Sequence, residues 1–272
     1  MNIEKLVDKL RKQIMEKESV VVAFSGGVDS SVVTKLAYDA LGEKALAVTV
    51  DSPLLPHGEL VDAKKIAKKI GIKHVILKLN ELKLQDFVKN PPNRCYICKK
   101  FRFKMLKKMA VEKGFKILMD GTNIDDTDEY RPGLLALKEE NVYSPLLENG
   151  VGKNLTRKIA KHLRLPIYDK PPSTCLASRF PYGYRLSLEK LKRVDKAESY
   201  IKANLGLKIV RVRDHGNLAR IEIGKKDYKV FLKNKKLLKK TIEKIKKLGF
   251  KFVTLDLEGY RSGSFDYNFI KK

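Results

Sequence analysis

The run Val20-Val21-Val22-Ala23-Phe24, followed at once by Ser25-Gly26-Gly27-Val28-Asp29-Ser30-Ser31, constrains this chain more than any other stretch. Five consecutive apolar residues ending at a glycine pair have the composition of a strand buried on both faces. Val32-Val33-Thr34-Lys35-Leu36-Ala37 then opens a helix. A strand, a glycine turn and a helix N-terminus present free backbone N–H groups and the positive end of a helix dipole to an anion. Gly26 and Gly27 let the backbone turn sharply and come close to a ligand. Ser25, Ser30 and Ser31 add hydroxyl donors. Asp29 is the odd member, because a carboxylate beside phosphate calls for a cation between them. The segment therefore reads as a metal–pyrophosphate site rather than an ordinary turn.

The same alternation continues along the first half. Helices are predicted over 3–17, 30–41, 58–70 and 96–113, and strands over 19–24, 45–50, 74–79 and 116–120. Leu6, Val7, Leu10 and Ile14 share one face of the first helix. Such alternation predicts an α/β fold with a parallel sheet covered by helices on both faces. Ligands of such sheets bind at the carboxyl ends of strands. The Ser25 turn, the Asp51-Ser52 turn and Asp120-Gly121-Thr122-Asn123 all lie at such ends and are expected to converge. Prolines 166, 171, 172 and 181 mark a boundary, so the division expected is 1–170 and 171–272. The second part reads as helix 188–203, strands 208–213 and 218–223, helix 228–248 and strand 251–257, a small α+β domain. Gly150-Val151-Gly152-Lys153-Asn154 looks like a nucleotide loop but lacks the glycine spacing and the Ser or Thr after Lys. It reads as a turn before a helix over 154–165.

The formal net charge is +26, which raises nucleic acid as a partner. Much of it is local: between Lys225 and Lys251 there are twelve lysines and two acids. Phe231, Leu237, Leu238, Ile242, Ile245 and Leu248 fit one helix face there, so a solvated lysine face is the leading reading and RNA or anion contact the other. No apolar stretch has membrane-spanning length, and the N-terminus lacks a signal-peptide core. A cytoplasmic protein without membrane partners is expected. Three cysteines, an odd number, argue against a disulfide framework and for metal or sulfur chemistry.

Ser25–Ser31 matches the SGGxDS pyrophosphate loop of the ATP-pyrophosphatase (PP-loop) superfamily. Asp120-Gly121-Thr122-Asn123-Ile124-Asp125-Asp126 with Tyr130-Arg131-Pro132-Gly133, then Cys175-Leu176-Ala177-Ser178-Arg179-Phe180-Pro181-Tyr182-Gly183, then Gly259-Tyr260-Arg261-Ser262-Gly263, resemble the signatures of LarE-type sulfur transferases. The resemblance implies a Rossmann-like ATP domain with a small C-terminal domain for substrate binding and oligomerisation, and a homo-oligomer. It implies ATP with Mg²⁺, cleavage between the α and β phosphates, and conversion of a substrate carboxylate to a thiocarboxylate. The substrate implied is pyridinium-3,5-biscarboxylic acid mononucleotide. The loop residues with Asp29, and with them Val50, Gly121, Asn123 and Asp125, would bind the nucleotide and metal. Cys175, Asp29, Asp125 and Arg179 would be catalytic.

The sulfur source stays open. In one branch of the resembled family the cysteine matching Cys175 gives up its own sulfur. This chain also carries Cys95 and Cys98, in Arg94-Cys95-Tyr96-Ile97-Cys98 at a loop-to-helix junction. With Cys175 they make three thiolates, which on a [4Fe-4S] cluster leave one iron open to hold sulfide from a donor. Zinc, held by three Cys and one of His57, His74, His162 or His215, is the structural alternative, as are a redox C-x-x-C pair and simple burial. Arg211 and Arg213 alternate on a predicted strand and share a face. With Arg261, and with Glu222 to tie one of them, they are candidates for a phosphate or carboxylate substrate. A salt-bridge array is the plain alternative. The acceptor could also be a tRNA base, or the chain could bind ATP without turnover.

Overall fold

The computed structural model describes residues 2–127, 132–233 and 235–266; Tyr130 and Arg131 of the second motif lie outside the described residues. By contacts the chain divides into two compact units. The first comprises 1–52, 58–80 and 93–172; the second comprises 53–57, 81–92 and 173–272. The second thus takes in two short excursions that a single cut near residue 170 does not describe. Leu176 N donates to Leu54 O at 2.9 Å, Gly183 N to Asn90 O at 2.9 Å and Leu186 N to Val88 O at 2.8 Å, which stitch those excursions to the rest of the second unit.

The first unit is built on four parallel strands, β1 (Val20–Ala23), β2 (Ala45–Asp51), β3 (Lys73–Lys78) and β4 (Ile117–Met119), in the order β3-β2-β1-β4. The apolar run at 20–24 sits in the middle because both its faces are covered, as its composition requires. Val20 and Val22 point into one core with Leu10, Ile14, Leu36 and Ile159. Val21 points into the other with Phe103, Leu106 and Leu118. Helices Ile3–Met15, Val28–Leu41, Glu59–Ile70 and Lys153–His162 contribute to the first core, and Arg94–Glu112 to the second. Leu6, Val7, Leu10 and Ile14 are the buried stripe of the first helix.

From β1 the chain runs outward to β2 and β3 and then returns to β4 on the other side of β1. That reversal places the topological switch point between β1 and β4, at the carboxyl ends that carry Ser25–Gly27 and Asp120–Asn123. The Val28–Leu41 helix begins two residues before the predicted start, because Gly27, extended at φ −79° and ψ 171°, serves as its N-cap. Asp29 and both following serines therefore lie in its first turn.

The second unit holds β5 (Val210–His215), antiparallel to β6 (Leu218–Ile223), with β7 (Phe252–Leu255) parallel to β6. Helix Leu188–Leu205 packs on β5. Of the helix predicted over 228–248, Tyr228–Lys233 and Lys235–Lys247 are helical among the described residues. Ile245 and Thr241 are buried while the described lysines of the longer segment face solvent. Among the described residues no helix is long and apolar enough to cross a membrane.

Candidate active site

Two glycines decide the shape of the first unit's site. Gly26 has φ +72°, and a Cβ there would stand 2.9 Å from Ala63 Cα. Both the left-handed backbone and the close helix therefore require glycine. Gly121 has an ordinary φ, but a Cβ on it would lie 2.5 Å from Ser30 N and 2.8 Å from the Asp29 carbonyl carbon. The loop after β4 thus lies directly against the amino end of the Val28–Leu41 helix, so the Ser25 and Asp120 turns converge. Ser25 Oγ and Ser30 Oγ are 3.0 Å apart, and Gly27 N donates to Ser25 Oγ at 3.3 Å. Thr49 Oγ1 donates to Phe24 O at 2.7 Å, tying β2 to the start of the turn. Val48 is the last β2 residue in register with β1, opposite Ala23. Val50 therefore stands beyond the end of β1, half-buried and in register with Leu77 of β3.

Around this turn, charges of both signs face one another. Burial, and then the negative charge of Asp126, push the Asp29 carboxyl up to about 6. Lys153, Arg157 and a hydrogen bond from Asn123 pull it the other way. Asn123 is fully buried, and its N–H donates to Asp126 Oδ2 at 3.2 Å. Lys153 Nζ lies 3.6 Å from Asp126 Oδ1. Lys153 was read from the sequence only as part of the Gly150–Asn154 turn, and Arg157 was not singled out. They sit one turn apart at the start of the Lys153–His162 helix, whose N-cap is Gly152. The Gly150–Asn154 turn precedes a helix as read, but that helix delivers two cations to the acids. A basic pair four residues apart in a helix's first turns was the available signal.

Two acids nearby serve the scaffold. Asp125 Oδ2 accepts from Lys153 N at 2.7 Å, and a Cβ at Gly152 would meet Asp125 Oδ1 at 2.6 Å. Asp125 thus caps that helix. Asp120 accepts from Thr122 N at 3.2 Å and from Ser144 Oγ at 2.6 Å. Asp29 with Asp126, two adjacent partly buried carboxylates of which Asp126 raises the cost of ionising Asp29, is the donor set a divalent cation suits.

The second unit gathers a different cluster. Arg179, 1% exposed, forks onto Glu198 through Nε at 2.8 Å and Nη2 at 3.0 Å. Its Nη1 donates to Thr174 Oγ1 at 2.7 Å, Ser178 Oγ at 2.8 Å and the carbonyls of Thr174 and Cys175 at 3.1 Å. All three guanidinium nitrogens are engaged, and they hold the Cys175 turn. Cys175, half-buried, precedes the short turn Leu176–Arg179. Burial opposes ionisation of Glu198, but Arg179, Arg211 and the Val212 N–H outweigh it and hold its carboxyl below the usual range.

Arg211 and Arg213 share a face of β5, each 4% exposed. Arg213 donates to Ser178 O and to Glu222 Oε2, both at 2.7 Å. Glu222 is fully buried and also accepts from Arg220 at 3.1 Å and Ser264 Oγ at 2.8 Å. Arg211 lies 5.2 Å from the Tyr260 ring, and burial, then the charge of Arg179, lower its pKa. Arg261, 45% exposed, pairs with Glu258 at 2.5 Å and lies 3.7 Å from Asp256, an acid it shares with Arg220.

Cys95 and Cys98 are one turn apart at the start of the Arg94–Glu112 helix of the first unit, the first exposed and the second half-buried. A Cβ on Gly133 would stand 3.4 Å from Cys95 O, so the Pro132-Gly133 motif packs against this turn. Two thiols at this spacing, reachable from solvent, fit two corners of a metal–sulfur group. Cys175 belongs to the second unit. Within neither unit do three His, Cys, Asp or Glu side chains gather among the described residues.

The family described as NAD synthase matches residues 2–188. The chain is 43% identical over 261 residues to the protein slr1717 of Synechocystis sp., covering 96% of this chain and 97% of that one. It is 36% identical to the pyridinium-3,5-bisthiocarboxylic acid mononucleotide synthase of Lactiplantibacillus plantarum, over 92% of this chain and 90% of that protein. It is 29% identical to the tRNA-specific 2-thiouridylase MnmA of Rickettsia peacockii, over 65% of this chain.

Proposed function

Because the chain belongs to the NAD synthase family of PP-loop ATP pyrophosphatases, we propose that it is an ATP-dependent sulfur transferase acting on a carboxylate of a pyridinium nucleotide. The observation that carries this reading is the set of Asp29, Asp126, Lys153 and Arg157 around one glycine turn. A carboxylate oxygen of the substrate attacks the α-phosphorus of ATP, the bond to the β-phosphate bridging oxygen breaks, and pyrophosphate leaves toward the N–H groups of the turn. Lys153 and Arg157 offset the charge of the departing pyrophosphate. Asp29, with Asp126, would hold Mg²⁺, which neutralises phosphate charge. AMP is then the leaving group when sulfur attacks the activated carbonyl carbon, giving a thiocarboxylate. The acceptor comes from the similarity to the Lactiplantibacillus plantarum synthase.

The sulfur site in this reading is built from Cys95, Cys98 and Cys175, which would hold a [4Fe-4S] cluster. Bound there, the cluster would present a sulfide taken from an external donor, to be replaced by that donor after each transfer. Arg179 and Glu198 keep the Cys175 turn in place, and Arg211 and Arg213 would meet the substrate's phosphate, with Glu222 tying Arg213 in position. A second reading, transfer to a tRNA base by the same chemistry, has in its favour the net charge of +26 and the likeness to the 2-thiouridylase.

Asp29→Ala is expected to lower ATP–pyrophosphate exchange by roughly a thousandfold while the protein stays folded. Exchange surviving at a tenth of the wild-type rate overturns the site. Anaerobically purified protein should carry about four iron atoms per chain and keep an unchanged mass after turnover. Loss of hydrogen sulfide from Cys175 would replace the cluster with a sacrificial cysteine. Cys95→Ala should abolish thiolation but spare pyrophosphate exchange.

A further inference from the structure

Arg211 and Arg213, each 4% exposed, are too deeply covered for an anion to reach them in this conformation. Much of the cover is one short segment. After β7, Asp256 N donates to Ile221 O at 2.8 Å and the chain turns at Gly259, where φ is +76°. Tyr260 N then donates to Ile223 O at 2.9 Å, which lays the next residues along β6. The Tyr260 ring lies 5.2 Å from the Arg211 guanidinium, and the Phe265 ring lies 5.5 Å from both Arg213 and Arg220. The segment is latched mainly by side chains. Ser264 Oγ donates to Glu222 Oε1 at 2.8 Å and accepts from Arg220 Nη2 at 2.9 Å, and Tyr182 OH donates to Asp266 Oδ1 at 2.6 Å.

We propose that Gly259–Asp266 is a strap that closes the arginine face of β5 and β6 and lifts to admit a phosphate-bearing ligand. The aromatic rings occupy the guanidinium faces while no anion competes for them. Cation–π contacts of this kind and a few hydrogen bonds are each weak. A phosphate accepting from two arginines outcompetes them through charge-assisted bonds. The strap thus sets the fraction of molecules able to bind, and the apparent affinity scales with that fraction. The proposal rests on the reading of Arg211 and Arg213 as substrate ligands.

The test uses the full chain and inorganic phosphate as the probe, with titration calorimetry and hydrogen exchange read together. Phosphate should speed amide exchange in residues 259–266. The double variant Tyr182→Phe, Ser264→Ala should bind phosphate roughly three- to tenfold more tightly than wild type and show fast strap exchange without it. Arg213→Gln should abolish the binding, and Arg211→Gln serves where that variant fails to fold. Arginine-dependent binding with no strap response and no gain in the latch variant overturns the strap and leaves the arginine site standing. No binding, or binding indifferent to the arginine substitutions, in both wild type and latch variant overturns both.

Discussion

The two units each gather acids and cations, and they use them in opposite ways. In the second, Arg179 and Glu198 make a two-point pair that is almost wholly buried, and Glu222 is shared between Arg213 and Arg220. Arg179 and Glu198 answer each other and hold the Cys175 turn, while Arg211 and Arg213 are the cations left for the proposed ligand. In the first, Asp29 stands beside Asp126, a like charge, and is partly buried as well. Lys153 and Arg157 lower the cost without pairing the acid off. The difference teaches how to tell scaffold from reaction site among clusters of the same residue types. A scaffold satisfies its charges internally, and a site keeps a strained protonation balance that a ligand relieves.

Substitutions can break that contrast. Glu198→Ala leaves a buried guanidinium without its main partner and should cost about 3–5 kcal/mol, read as a shifted denaturation midpoint. A cost under about 1 kcal/mol would remove the second unit's cluster from the scaffold class. Lys153→Ala should slow ATP–pyrophosphate exchange roughly ten- to a hundredfold with little change in stability, and the reverse result would make Lys153 architecture. Asp29 gives a pH signature in Mg²⁺-free buffer. Its folded pKa of about 6 exceeds the ordinary 3.8, so between those values the folded protein keeps a proton that the unfolded chain has lost. Stability should therefore fall as pH rises through that window, by about 1–2 kcal/mol after discounting for solvent screening. Asp29→Asn should abolish the fall, as denaturation at pH values on either side of the window would show. Smallest is Arg261→Ala: an exposed pair should change stability by less than about 0.5 kcal/mol, and a larger loss would tie Arg261 to the buried network.

Local pattern carried the fold well. The stripe Leu6, Val7, Leu10, Ile14 and the run Val20–Phe24 are periodic or continuous over a whole element, so burial can be read from them. The glycine turn was legible because strand, turn and helix are contiguous. Lys153 and Arg157 were not, because more than a hundred residues separate them from Asp29 and only the placement of their helix brings them near. The partner of Arg179 was hidden for a related reason, since Glu198, which takes up its fork, stands nineteen positions on. The cap made by Asp125 was hidden too, because nothing in a linear text shows that a helix will start against it.

The excursions at 53–57 and 81–92 carry a consequence for biosynthesis. Leu54 emerges from the ribosome 122 residues before Leu176, whose N–H its carbonyl accepts. At about 5–20 residues per second that wait is roughly 6–24 s. Leu54 is fully buried and Phe87 is 1% exposed in the finished protein, so Leu54 spends this interval, and Phe87 the roughly 4–18 s from its own synthesis, as apolar surface on a nascent chain. Trigger-type holdases should find them there, and a translation pause upstream of residue 173 should lengthen the window in which this protein aggregates.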